Sequence, residues 1–477
     1  MANTLARRAA AGPDSSGLRV EAGPVARAGG SAASRAGGPG AASRAGRLGA
    51  ALALAAALGG CGTVGGLFGG GTTDGTVRGF AGAVAAEEPR AALVARDTLA
   101  RGGSATDAAV AAGFALTVTL PSRAGLGGGG VCVVFDPRRN QAEAVLFPPG
   151  ANPSPAPQTD RPAAAPMMAR GLFALHTRGG RLPFESLVAP AEGLARFGTE
   201  VSRAFATDLA AVSRPLFADP AARAVFSLDG RPPAEGERIV QADLAATLGQ
   251  MRTAGVGDLH QGVLARRLAD ASRPAGGGLT VEALRAALPQ VVPARAVASG
   301  LEVLSVPPTP AGDEMAAAFA ARAAGRAVPA PGGAARPAST ALAVLDRDGG
   351  AVACAFTMNN LFGTGRVAAG TGILLAAAPG VGPEPLLAAG VLHAARITAF
   401  RAAAAGSGQE GAAAAAGAAL ALAAAGQAEP ASLSAAVPGA GRAVAIGCPR
   451  YLPGNADLCR AAVDPRGAGV ALLVSGR

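Results

Sequence analysis

Apolar positions along this chain come in three textures, and each predicts a different kind of element. In residues 339–375, STALAVLDRDGGAVACAFTMNNLFGTGRVAAGTGILL, short unbroken apolar runs are bounded by acidic residues and glycines. Continuous runs of this length between turn signals read as buried strands, so ALAVL and AVACAFTMN form a hairpin across Asp346-Arg347-Asp348-Gly349-Gly350. Between residues 91 and 117 the spacing of Ala, Leu and Val fits two helices broken at Gly102-Gly103, with Ser104 as N-cap. Gly127 to Gly130 then permit close backbone packing before a strand at Val131–Phe135. Helical spacing returns over 182–198, 242–254, 258–271, 280–288 and 313–324. From Glu384 to Ala425 the chain is extremely Ala-rich, which predicts helix interrupted only at GSGQEG, 406–411. Strands gathered around two segments, with helices on either side, imply α/β layers.

The amino-terminal texture is different. Residues 1–46 are rich in Gly, Ala, Ser and Arg without apolar periodicity and read as a disordered extension. Arg47 then introduces LGAALALAAALGG, ending in Cys61. A basic flank, about a dozen apolar residues and small residues before the cut match a secretory signal that is too short to span a membrane. Leu58-Gly59-Gly60-Cys61 also resembles the bacterial lipobox, whose Cys is lipidated after cleavage; the alternative is a plain secretory signal with an incidental Cys61. Segment 47–61 is thus read as signal and lipobox, 62–78 as a flexible tether, and the protein as an exported, periplasmic lipoprotein held to the membrane by its lipid.

Composition changes this picture little. With 477 residues the chain can bury one large core or two smaller ones. All 42 basic residues are Arg, and the net charge is +10. Half of that excess lies in the first 60 residues, where seven Arg face Asp14 and Glu21. No basic run with interleaved aromatics occurs elsewhere, so no nucleic-acid partner is expected. Export makes disulfides admissible. Cys448 and Cys459 flank a Pro/Gly/Asn loop that turns the chain back, and a disulfide is expected there. Cys132 and Cys354 lie inside apolar strands and read as small buried hydrophobes. No metal-ligand spacing is visible, and His176, His260 and His393 are scattered, each in a helical context. Neither metal nor cofactor is expected.

The chemistry sits at the head of the hairpin. A hydroxyl pair, Ser339-Thr340, directly precedes the first strand, and the exposed Pro/Gly-rich segment 325–338 leads into it. An N-terminal-nucleophile hydrolase needs a hydroxyl in that place: the chain is cut just before it, and the freed α-amine serves as base for the adjacent hydroxyl.

These motifs resemble the gamma-glutamyltranspeptidase family. The family's small subunit opens with a Thr-Thr pair, a strand, Asp-x-Asp-Gly, a strand ending Thr-x-Asn, then Phe-Gly-x-Gly and Gly-Ile-Leu. Here those elements are Ser339-Thr340, Asp346 with Asp348-Gly349, Thr357-Met358-Asn359, Phe362-Gly363-Thr364-Gly365 and Gly372-Ile373-Leu374. LARGGSATDAAVAAGFALTVTLPSRAGLGGGGVCVVFD, residues 99–136, is similar to the opening of the family's large subunit. The resemblance implies a four-layer αββα sandwich of the N-terminal-nucleophile hydrolase type, with 79–338 and 339–477 as large-subunit-like and small-subunit-like regions. It implies processing between Ala338 and Ser339, with the two fragments remaining associated. Ser339 stands at the nucleophile position, with Thr340 as the adjacent hydroxyl. Thr357 would hydrogen-bond the nucleophile, and Asn359 would contact the substrate, a small-molecule amide or peptide.

The same resemblance identifies departures. Pro148 occupies the place of the family's carboxylate-binding Arg, and Ala376 to Val381 carry no acid where an ammonium-binding Asp belongs. Pro385-Leu386-Leu387-Ala388-Ala389 replaces a motif with paired serines. Gly406-Ser407-Gly408-Gln409-Glu410 stands for the oxyanion loop, with Glu410 expected to oppose developing negative charge. Three functions follow as alternatives: a gamma-glutamyltranspeptidase-like amidohydrolase or acyltransferase, an acylase for a different acyl amide, or a non-catalytic envelope lipoprotein that keeps the fold.

Overall fold

Thirteen main-chain strands form two antiparallel sheets in a computed structural model that describes residues 79–476, except 153–154, 158, 330–337, 382–384 and 438. The first sheet runs in the order β17 (Val470–Ser475), β1 (Phe80–Ala86), β9 (Ser339–Asp346), β10 (Ala351–Thr357), β2 (Gly129–Asp136), β3 (Gln141–Phe147) and β6 (Gln290–Pro293). The second runs β16 (Arg460–Val463), β15 (Arg442–Leu452), β14 (Ala399–Ser407), β13 (Ala389–Ala394), β8 (Glu302–Val306) and β7 (Arg295–Ser299). Two two-residue ladders complete the set: β4 (Thr199–Glu200) with β5 (Arg238–Ile239), and β11 (Val367–Ala368) with β12 (Ile373–Leu374).

Alternation of side chains along each strand divides the core into three layers. Ala341, Ala343 and Leu345 of β9 join Ala83, Val133 and Ala353 in packing against Val391, Ala403 and Val444 of the second sheet. Leu342 and Val344, on the other face, pack with Cys132, Phe356 and the buried helix Ala105–Thr119. Behind the second sheet, Leu304, Leu392, Ala404 and Ala445 meet helices Pro310–Ala323 and Ala412–Ala424. Helix, sheet, sheet, helix is the four-layer αββα sandwich the resemblance implied. Both inner strands of the hairpin are buried on both faces, which is why their sequences are continuously apolar rather than alternating.

The hairpin turn is held by Asp346, whose carboxylate accepts the N–H groups of Asp348, Gly350 and, across the chain, Ala105. Ser104 caps helix Ala105–Thr119 as expected, and the structure adds a reciprocal bond with Asp107. The helices expected over 182–198, 242–254 and 313–324 appear as Phe184–Phe197, Ala242–Ala254 and Pro310–Ala323. Residues 258–271 split at Gly262 into Asp258–Gln261 and Val263–Ser272, and 280–288 shortens to Val281–Ala286.

Two expectations are corrected. The Ala-rich segment 384–425 is helical only over Ala412–Ala424; Ala389–Ala394 and Ala399–Ser407 are strands of the second sheet. Alanine's helix preference amounts to only tenths of a kcal/mol per residue, and the slot between a sheet and a close-packed helix selects small side chains of any propensity. His393 consequently lies in a strand, stacked on Phe135 at 4.3 Å, rather than in a helix. Cys132 and Cys354 are not free hydrophobes: they are directly opposite in the β10–β2 register and form a disulfide. The expected Cys448–Cys459 disulfide is present. Segments 1–46, 47–61 and 62–78, with Cys61, lie outside the described residues.

Candidate active site

Register alone brings the chemistry-bearing residues to one end of the first sheet. Ser339 opens β9 opposite Thr357 of β10, and Thr357 lies opposite Gly129 of β2. Gly129 needs its missing side chain: a Cβ there would come within 2.1 Å of the Phe147 carbonyl oxygen and 2.8 Å of the Pro149 nitrogen. Pro148, exposed, is therefore at the same sheet end. From the other side, Glu87 follows β1 and donates its N–H to the Ala341 carbonyl.

Ser339, Thr340 and Ala338 are all buried. Ala338 and Ser339 are gripped at three points, one of them through a hydroxyl that is itself oriented by a neighbour. Thr357 Oγ1 accepts the Asn359 N–H at 2.8 Å. An N–H can only donate, so the hydroxyl proton is free for the Ala338 carbonyl oxygen, 2.9 Å away. The Ala338 N–H donates to Gln409 Oε1 at 2.8 Å, and the Gly408 N–H donates to Ser339 Oγ at 3.2 Å. Thr357 thus touches the carbonyl of the peptide bond before Ser339, not the Ser339 hydroxyl as expected. A hydrogen bond to a carbonyl oxygen draws charge from its carbon and would strengthen as that oxygen becomes an oxyanion.

The Gly408 and Gln409 donors and acceptors depend on an unusual turn. Gly408 has φ +100°, with the Ala440 carbonyl 2.4 Å from where a Cβ would stand. Gln409 has φ 55° and carries a side chain in a region that L residues adopt at a cost. The turn is pinned through Glu87, which accepts from Thr340 Oγ1 at 3.0 Å, from the Ala341 N–H at 3.1 Å and from Ser407 Oγ at 2.5 Å. One carboxylate therefore joins the start of β9 to the end of β14, across the two sheets. Thr340 is committed to that carboxylate and is a less available hydroxyl than Ser339. Glu410 is exposed, and its charge helps burial raise the pKa of Glu314; it does not face Ser339.

A buried ionic layer underlies this end of the sheet. Asp208 accepts Arg123 Nε at 2.8 Å, Arg123 Nη2 at 2.7 Å and Ser122 Oγ at 2.7 Å. Burial lowers the pKa of Arg123, but Asp208 more than offsets it. Burial also lowers that of Arg442, opposed by the charge of Glu87 and reinforced by that of Arg123.

Asn359 sits beside the site but its side chain donates to the Ala377 carbonyl at 2.9 Å, bracing the loop at 376–378. Val381 is exposed, and Ala376 and Ala377 are buried. No histidine reaches Ser339: His176 and His260 contact the carbonyls of Leu182 and Leu284, and His393 contacts Ser305. Among the described residues no cluster of His, Cys, Asp and Glu could hold a metal ion. Two cavities, about 190 and 490 Å³, are lined by residues around Asp348, at the opposite end of β9.

Glu87, Ser407 and Gln409 were not recognised from the sequence as site residues with roles of their own. Ser407 and Gln409 fell inside the segment read as the oxyanion loop, and for Glu87 the local signal was a pair of acids, Glu87-Glu88, directly after the apolar run of β1, where a solvated turn would be expected.

Comparison with known proteins shows what the chain as a whole is similar to. The family model described as Gamma-glutamyltranspeptidase matches residues 91–323. Glutathione hydrolase proenzyme of Bacillus subtilis is 31% identical over 216 residues, 42% of this chain and 37% of that protein. Glutathione hydrolase proenzyme of Escherichia coli is 31% identical over 253 residues, 50% of this chain and 44% of that protein. Glutathione hydrolase 7 of Homo sapiens is 34% identical over 211 residues, 42% of this chain and 32% of that protein. The chain thus spans about a third to under half the length of these curated relatives. A solved cephalosporin acylase from Bacillus halodurans superposes with a TM-score of 0.66 at 18% identity, over 84% of this chain and 97% of that one, which shows a shared fold.

Proposed function

Because this chain is a divergent member of the gamma-glutamyltranspeptidase family, we propose that it is a self-processing N-terminal-nucleophile amidohydrolase or acyltransferase in which Ser339 is the nucleophile. The observation that carries this is the grip on one peptide bond: the Ala338 carbonyl faces the Thr357 hydroxyl while Ser339 Oγ is held by the Gly408 N–H. Attack of Ser339 Oγ on the Ala338 carbonyl carbon forms a C–O bond. The resulting oxyanion lies on Thr357. Collapse breaks the C–N bond, the hydroxyl proton ends on the Ser339 nitrogen, and water hydrolyses the ester to leave Ala338 as a carboxylate. The freed α-amine, with an ordinary pKa near ~8, is then the base for the same hydroxyl toward an external amide.

The acyl group differs from that of a gamma-glutamyl donor. Such a donor carries a carboxylate and an ammonium, each needing an opposite charge when desolvated. Pro148 and Val381 stand at the corresponding positions by resemblance, and neither can pair a charge. An unpaired buried carboxylate costs about 3–5 kcal/mol, roughly a thousandfold in binding.

Denaturing electrophoresis of the purified protein under reducing conditions, which open the Cys132–Cys354 disulfide across the cut, tests the reading. Two fragments are expected, the smaller beginning Ser-Thr-Ala-Leu, and Ser339→Ala should give one chain. A wild type that stays whole supports the non-catalytic alternative, and a fragment beginning at Thr340 means the other hydroxyl acts. Turnover of gamma-glutamyl anilide at roughly 1 per second or faster would refute the loss of the zwitterion clamp. Export and anchoring through Cys61 are part of the proposal: radiolabelled palmitate should enter the wild type and not Cys61→Ala.

A further inference from the structure

In the uncut chain the peptide to be broken is itself a bound substrate, and Ala338 is its acyl residue. The grip on that residue shows which acyl groups the site is shaped for. Ala338 offers a carbonyl to Thr357 and, on the carbon next to that carbonyl, an N–H to Gln409 Oε1 at 2.8 Å. Its methyl group is enclosed, with Ala338 only 1% exposed. We propose that Gln409 is a specificity-determining residue of the acyl site, accepting an N–H borne by the carbon adjacent to the scissile carbonyl. The substrates are then amides of N-acylated small L-amino acids, that is, peptidyl-type acyl groups.

The argument rests on the reading of Ser339 as nucleophile. The Gln409 side chain and the Gly408 N–H that holds Ser339 Oγ come from adjacent residues of one turn, so the acceptor and the group that positions the nucleophile are carried by the same short segment. That turn is anchored independently of Ala338, through Ser407 and Thr340 on Glu87. When Ala338 departs, Gln409 Oε1 and the Thr357 hydroxyl each lose a partner, and a substrate with the same N–H and carbonyl spacing restores both. A gamma-glutamyl group cannot do this. The carbon next to its scissile carbonyl is a methylene, and its nitrogen lies two carbons further away as a charged ammonium.

In turnover Ser339 Oγ bonds to the acyl carbon as the C–N bond to the leaving amine breaks. The hydroxyl proton passes through the α-amine to the leaving nitrogen, and water releases the N-acyl amino acid from the ester.

The test compares two substrates that differ in one atom: N-acetyl-L-alanine 4-nitroanilide and its O-acetyl-L-lactic counterpart, in which oxygen replaces the N–H. With processed wild type, kcat/KM should be about thirtyfold lower for the oxygen analogue, the range for leaving a half-buried acceptor unpaired. In Gln409→Leu the two should be used almost equally, while Gln409→Glu, which keeps an acceptor, should retain the preference. A merely structural role for Gln409 would lower both rates together and leave the ratio unchanged. Processed wild type that uses both analogues equally, or that prefers gamma-glutamyl 4-nitroanilide, overturns the assignment of Gln409 and leaves Ser339 standing. A wild type that is never cut and hydrolyses neither anilide removes the nucleophile, and the acyl site falls with it.

Discussion

The Cys132–Cys354 disulfide joins the two regions on either side of the proposed cut, so its removal has two separate consequences. Cys132 lies before Ala338 and Cys354 after Ser339, 222 residues apart in sequence. Closing a loop of that length removes about 18 cal/mol/K of entropy from the unfolded chain, about 5 kcal/mol at 25 °C. Measured losses for native disulfides usually run about 2–5 kcal/mol. Cys354→Ala in the uncut Ser339→Ala background should therefore lower stability in urea by that amount, with a steeper transition because the unlinked unfolded chain exposes more surface. In the processed protein the same bond becomes a link between two chains. Without reductant, denaturing electrophoresis should show one band at the uncut mass; with reductant, two. Cys354→Ala should show two bands in both lanes, yet the native fragments should stay together, because β1, β2, β3 and β6 of the first region alternate in one sheet with β9, β10 and β17 of the second. Reaction of both thiols in unreduced, unfolded protein, or an unchanged midpoint in the variant, would refute this reasoning.

Three further outcomes follow from the buried polar groups and the close packing. Asp208→Asn should cost about 3–5 kcal/mol by stranding the buried Arg123 charge, whereas replacing both by apolar residues of similar size should cost much less, as read by urea unfolding. His260 and His393 are held near a pKa of about 4, below the ordinary 6.5, chiefly by burial. The native state then binds fewer protons than the unfolded one between pH 6.5 and 4, so stability is complete above about 6.5 and falls as pH drops through that window, by up to about 1.4 kcal/mol per pH unit for each histidine. Thermal unfolding of His393→Gln across that range should show a shallower fall than wild type, and an identical slope would exclude this role. Gly129→Ala should push on the Phe147 carbonyl, displace Thr357 opposite it and slow processing at least tenfold, measured as the rate of fragment appearance.

Much of this molecule was determined by short-range pattern. The hairpin of β9 and β10 follows from two apolar runs around an acidic glycine turn, and the cap at Ser104 from its place directly after the Gly102-Gly103 break. The resemblance to the gamma-glutamyltranspeptidase family and the proposal of Ser339 as its hydroxyl both rest on contiguous residues. The Cys448–Cys459 bridge was legible for the same reason, since the two cysteines lie only 11 positions apart on either side of turn-forming chain.

What the sequence left open depends on contacts between distant segments. Cys132 and Cys354 read as hydrophobes until strand register placed them face to face. Ala-rich β13 and β14 read as helix because propensity is a weak local preference, overridden by the narrow space between a sheet and a helix. The individual roles of Glu87, Ser407 and Gln409 are set by partners far away in the chain. Glu87 meets Thr340 across 253 positions and Ser407 across 320, and Gln409 meets Ala338 across 71. A buried carboxylate or a strained turn acquires meaning only from the partners that satisfy it, and those partners are chosen by the packing of two sheets rather than by neighbours in the chain.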